Sequence, residues 1–256
     1  MSKALQFRVF GDQKIACSHV ASEIATLIRE RAVLGRKAVI GFSLGNTPLP
    51  LYDELIYLHR EEGLSFRNVI TFNLEEYLGL PTDHPRTVQS HMKAHLFDHV
   101  DIPKDQTNFL QSDLNEDEIR NHCRSFKASI HKAGMIDIQI LGVGRTGNLG
   151  FSGIGSNTTS PARKVRLDSS RSEVDSSLAA GTLVPEFGLT VGCETILLAK
   201  RIYILAWGVR KMKAVQKLLE NPDHPKSPIS ALTGHRSAQL ILDTAASSAL
   251  AELQKN

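Results

Sequence analysis

The sequence predicts an α/β protein built on a doubly wound, mostly parallel sheet. Two observations carry this. Short apolar runs alternate with longer stretches whose apolar residues recur at helical spacing. Several of the runs also end in glycine-bearing turns that lead into a helix, the pattern of a strand, a crossover and a parallel strand. Residues 15–34 place Ala21, Ile24, Ala25, Leu27 and Ile28 on one face, with Glu23, Arg29, Glu30 and Arg31 outside, so a helix ending at Gly35 is expected. Residues 37–42 (KAVIGF) read as a buried strand. A Gly-containing loop follows, then a helix marked by Leu51, Leu55 and Leu58, with Asn46 or Thr47 as cap and Pro48 in the first turn.

The alternation continues along the chain. Residues 69–73 (VITFN) form a strand, and 87–99 a helix with Val88, Met92, Leu96 and Phe97 apolar. Residues 116–131 form a helix through Ile119, Cys123, Phe126 and Ile130. Strands are expected at 136–143, 201–207 and 238–243, with a helix over 211–220 and a short Ala-rich helix at the end. The least periodic stretch, about 152–185, is rich in Ser, Arg and Gly and reads as a loop or lid. At 256 residues, one large α/β domain or two small ones fit. We expect one domain over 1–256.

Composition narrows the function classes. With 41% hydrophobic and 22% charged residues, the chain suits a folded globular protein. A net charge of +3 without a basic tract is too little to argue for nucleic acid, and suits a small anionic ligand. No apolar run nears the roughly 18 residues that span a bilayer, and no signal-peptide core is visible, so no membrane partner is expected. Cys17, Cys123 and Cys193 are odd in number and far apart. They imply neither a disulfide framework nor zinc, and the expectation is a reduced, cytoplasmic protein.

Four segments at expected strand ends could carry chemistry. In the first, residues 43–47, amides at a helix start can bind phosphate. Gly45 permits close approach, and Ser43 and Thr47 supply hydroxyls. An ordinary βα turn accounts for this loop equally well. Residues 41–45 also match G-x-S-x-G, with His224 or His235 as late partners for a nucleophilic Ser43. The motif lies on the first expected strand, with no earlier strand to complete an oxyanion hole, so chance is the better account. The second segment holds Glu75 and Glu76, which could act as a base and bind sugar hydroxyls, or simply be solvated carboxylates at a helix start. The third is the glycine-rich run 142–151, which needs tight turns. The fourth, 207–211, puts Lys211 at a helix start, an odd place for a cation unless an anion lies nearby, though a solvated lysine is the plainer reading. His91, His95 and His99 are spaced by four on one expected helix. Without a third ligand in reach they read as packing or surface histidines, so no metal is expected.

Taken together and in order, these segments resemble the glucosamine-6-phosphate deaminases of the 6-phosphogluconolactonase superfamily. GFSLGNTPLPLYDEL resembles the family's phosphate loop. FNLEEYLGLPTDHPRTVQSHM resembles its catalytic strand end, and LGVGRTGNLGFSGIGS its glycine segment. The stretch from VPEFGLTVGCETILLAK to RIYILAWGVRKMKAVQ resembles the one ending in the phosphate-binding lysine. The phrase EEYLGLP-x-x-HP favours the deaminase branch. The resemblance implies a modified Rossmann-like fold of the ribose-5-phosphate isomerase/CoA transferase type. It also implies conversion of an amino-hexose 6-phosphate to a ketose 6-phosphate and ammonia, without a redox cofactor.

By that resemblance Glu75 is the C2 base, where the family carries an aspartate, with Glu76 and Asn148 in polar support. Ser43, Gly45, Asn46, Thr47 and Lys211 hold the phosphate. Ser156 and Arg163 match a second, effector phosphate site, and Arg166 and Arg171 are the nearest to a lid arginine. Asn148 stands where the family has its ring-opening histidine, and Gly153 where it has the supporting glutamate. Asn148 cannot titrate. A catalytically weak phosphosugar-binding regulator is therefore the second reading, and a lactonase-type hydrolase the third. The expected partner is a phosphorylated sugar, with assembly of identical copies as an open alternative.

Overall fold

Seven parallel strands form the central sheet, in the order β1-β10-β9-β6-β2-β3-β5. The computed structural model describes residues 5–144, 148–153, 155–167, 185–220 and 228–250. The strands are β1 (Gln6–Phe10), β2 (Ala38–Phe42), β3 (Val69–Asn73), β5 (Thr107–Asn108), β6 (Ile138–Gly142), β9 (Arg201–Ala206) and β10 (Ala238–Asp243). A smaller antiparallel sheet orders β4 (Glu75–Tyr77), β8 (Phe187–Thr190) and β7 (Arg163–Arg166) as β4-β8-β7. Thr190 pairs with Glu75 on one side and Arg163 on the other, so these three residues share one row.

Helices cover both faces, as parallel strands require. They are α1 (Gln13–Val33), α2 (Leu49–Glu62), α3 (Val88–His95), α4 (Glu116–Lys132), α5 (Gly192–Ile196) and α6 (Val209–Glu220). Alternation along β2 divides the core: Ala38, Ile40 and Phe42 join the cluster under α1–α3, while Val39 joins the one under α4 and α6. Asp12 caps α1 through Ile15 N at 2.8 Å. Asn115 and Glu118 form a reciprocal capping box on α4. Among the described residues no helix is long and apolar enough to cross a membrane.

Several sequence expectations need correction. Pro48, not Asn46 or Thr47, is the N-cap of α2, without a side-chain capping bond, and Pro50 occupies the first turn. Glu75 and Glu76 lie on strand β4 rather than at a helix start. Helix α3 ends at His95, and His99 sits in a separate 3-10 turn. The expected loop at 152–185 contains β7, and 154, 168–184 and so Arg171 lie outside the described residues. Residues 244–249 form turns, so the expected Ala-rich helix does not follow β10 directly; Leu250 is helical, and 251–256 lie outside the described residues. The strand carrying G-x-S-x-G is the second in the chain, since β1 precedes it. β1 lies at the far edge of the sheet and does not neighbour β2.

Candidate active site

From β2 the chain runs outward through β3 to β5, then returns to β6 on the other side of β2. The strand order therefore reverses between β2 and β6, and ligands of open α/β sheets bind in the crevice outside such a switch point. The loops after β2, β6 and β9 meet there. Thr47 packs on the end of β6, where a Cβ on Gly142 would lie 3.4 Å from Thr47 Cβ. The Trp207 indole N–H donates to Thr47 O at 2.8 Å. Lys211, in the first turn of α6, donates its Nζ–H to Val143 O at 2.7 Å, beside the end of β6. Gly45 has φ of 115° and open space at its Cβ position, so the loop backbone is accessible at that point.

Glu75 joins this loop directly. Its Oε1 accepts from Leu44 N at 2.7 Å, and the residue is 2% exposed. Gly150 makes the room, for a Cβ there would fall 2.3 Å from Glu75 Oε2. Gly150 also has φ of 54°, a region that favours glycine. The Tyr52 hydroxyl donates to Ser43 O at 2.7 Å, and burial with the nearby Glu75 charge holds that phenol well above its ordinary range.

Glu76, the next residue on the strand, serves α3 instead. Its Oε1 accepts from Tyr77 N and Val88 N, each at 2.8 Å, and its Oε2 from Gln89 N at 3.2 Å. Burial pushes its carboxyl up to about 7 against three N–H donors that pull it down, with the Glu75 charge adding to the rise. A carboxylate at a helix N-terminus also meets the positive end of the dipole.

The structure thus gathers Ser43, Leu44, Gly45, Thr47, Glu75 and Lys211 around the switch point. Asn148 is half-buried on the third segment, where a Cβ on Gly153 would lie 3.7 Å from its Oδ1. Residues 145–147 lie outside the described residues. Arg163 donates to Ser156 Oγ at 2.6 Å and to Pro161 O at 3.0 Å. Arg166 pairs with Glu186 at 2.8 Å on an exposed surface. His235 bonds Ala199 O, just ahead of β9 and so at the opposite end of the strands from Ser43, while His224 lies outside the described residues. Among the described residues no group of three His, Cys, Asp or Glu side chains gathers to hold a metal ion.

Sequence reasoning included Trp207 in the fourth segment without giving it a role, and it missed Asp243 and Tyr52 as parts of this site. Both Asp243 oxygens accept from Gly208 N, at 3.1 and 3.0 Å, and Oδ1 also accepts from Ala246 N at 2.7 Å. The one available signal was position, since Trp207 and Asp243 both stand at the ends of expected strands.

Fold and site define an open α/β protein with amides, an ammonium group and a buried carboxylate collected at its switch point. The chain belongs to the family described as glucosamine-6-phosphate isomerases/6-phosphogluconolactonase, whose model matches residues 11–149. It is 36% identical over 230 residues to a glucosamine-6-phosphate deaminase of Bacillus pumilus, covering 90% of this chain and 95% of that one. It is 39% identical over 239 residues to a glucosamine-6-phosphate deaminase-like protein of Bacteroides thetaiotaomicron. That match takes in 93% of this chain but only 36% of the Bacteroides protein, so the chain spans about a third of that relative. Among solved structures, a monomeric glucosamine-6-phosphate deaminase superposes with a TM-score of 0.88 at 33% identity, over 95% of this chain and 99% of that one.

Proposed function

We propose that the chain converts an amino-hexose 6-phosphate, glucosamine or galactosamine 6-phosphate, into a ketose 6-phosphate and ammonia. One observation carries the reading: Glu75 Oε1 is bonded to the amide of Leu44, within the loop that would hold the phosphate. A sugar anchored there by its anionic tail would lie alongside a buried carboxylate. The amides of Gly45, Asn46 and Thr47 and the hydroxyl of Ser43 hold the phosphate, and Lys211 turns its Nζ from Val143 O to the incoming anion. Glu75 takes the C2 proton of the open-chain sugar and returns a proton to C1, which leaves an imine at C2; water adds to that carbon, and ammonia departs as the C2 carbonyl forms. Asn148 offers polar support without titrating. Glu76 acts at one remove, by fixing the start of α3. Ser156 and Arg163 are a candidate second phosphate site, supported by their mutual bond. The chemistry is acid–base throughout, and the setting is the cytoplasm, in keeping with three free, buried cysteines.

The test uses glucosamine 6-phosphate and galactosamine 6-phosphate, with ammonia release and C2 hydrogen exchange as readouts. Both signals should appear in the wild type and fall by about 10²–10⁴ in Glu75→Gln, the scale of a general base. Asn148 favours a second reading, a phosphosugar-binding regulator. Tight binding without ammonia or exchange would establish that reading in place of the enzyme.

A further inference from the structure

Trp207 has no part in the reaction as proposed, yet it joins the two halves of the site. It is the chain's only tryptophan. Its ring is half-buried and packs against the core cluster that contains Phe42 and Leu205. Its N–H reaches across to Thr47 O, a residue 160 positions away. Its own backbone is fixed on the other side, because the next amide, Gly208 N, is held by both Asp243 oxygens. Thr47 is in turn backed by Gly142 of β6. Four consecutive sheet positions, β10, β9, β6 and β2, are thereby tied to one loop.

We infer that Trp207 is a positioning residue, whose indole N–H fixes the β2–α2 loop in advance for recognition of a phosphate group. This rests on the phosphosugar reading above. Amides serve an anion best when they are oriented before it arrives, because a slack loop must be ordered at the moment of binding. The same bond makes the indole a reporter, since an anion seated on the loop changes the field and packing around the carbonyl that it touches.

Trp207→Phe keeps a ring on the core and removes the N–H. KM for glucosamine 6-phosphate and the inhibition constant of inorganic phosphate should both rise about threefold to tenfold, the scale of one neutral hydrogen bond. The loss should fall on those constants and not on kcat. Unchanged constants, or a fall in kcat alone from a smaller folded fraction, would overturn the inference. In the wild-type protein, titration with inorganic phosphate should change tryptophan emission and saturate at the inhibition constant. Phosphate inhibition with silent emission would also overturn it, and this arm decides alone if the variant does not fold. The two readings separate cleanly. No ammonia release with a saturating emission response removes the deaminase reading and leaves the clamp. Ammonia release with a kinetically unaltered Trp207→Phe does the reverse, and silence in both assays removes both.

Discussion

Lys211 shows how a single side chain is held ready. Its Nζ donates to Val143 O, which places it at the end of β6. Exchanging a carbonyl for a phosphate oxygen replaces a dipole with a charge, and charge-assisted bonds contribute about 1.5–3 kcal/mol. Lys211→Ala should therefore weaken phosphosugar binding at least tenfold, read by calorimetry or by KM, with little change in the urea midpoint. Unaltered affinity would remove Lys211 from the site. Glu75 depends on a neighbour without a side chain, because a Cβ on Gly150 would fall 2.3 Å from its Oε2. That dependence was illegible in the sequence. Residues 142–151 announced tight turns, but not which side chain would fill the gap.

At the scale of elements, the carboxylate of Glu76 joins β4 to α3. Its carboxyl sits at about 7 in the fold against an ordinary 4.5, with burial the chief cause. The sign follows from proton binding. Between about pH 4.5 and 7 the unfolded chain has lost this proton and the fold still holds it, so stability falls as pH rises through that window and levels off above it. At about 1.4 kcal/mol per unit the loss approaches roughly 3 kcal/mol. Urea unfolding at pH 5 and 7.5 should show this slope in the wild type and a flatter one in Glu76→Gln, whose amide oxygen can still accept two of the three bonds. Equal slopes would refute the assignment. The elements themselves were unevenly legible. β2, β3, β6, β9 and β10 showed as apolar runs because parallel strands are buried on both faces. β1 did not, since four of its five residues are exposed at an edge. The small sheet was hidden as well: EEY and RKVR carry charge at nearly every position, and only pairing with β8 makes them strands.

Across the whole molecule the two ends of the main sheet's strands have different tasks. Opposite the site, Asp137 is 3% exposed and accepts from Arg31 at 2.5 Å, Lys200 at 2.7 Å and Val39 N at 3.0 Å. It ties α1 and the starts of β2, β6 and β9 together. Asp137→Ala leaves two cations and a buried amide without this partner. A fully buried pair broken in this way costs about 3–5 kcal/mol, but Lys200 remains half exposed, so we expect roughly 2–3 kcal/mol in urea unfolding. KM should stay the same, because the damage lies a full strand length from the cradle. A shift in KM without loss of stability would contradict this division. The β2–α2 loop and Lys211 stood out in the sequence because strand ends and helix starts can be read locally, whereas Trp207 and Asp243 act through partners far along the chain. The row Glu75–Thr190–Arg163 belongs to neither end, because it lies in the smaller sheet. It mounts the Glu75 carboxylate on a separate three-stranded plate, braced at Gly192, where a Cβ would strike the carbonyls of Ser160 and Pro161 at 2.3 Å. The position of Glu75 is therefore set from the 160s segment, two rungs away, so the loop at the switch point and the carboxylate beside it are mounted on separately adjustable parts.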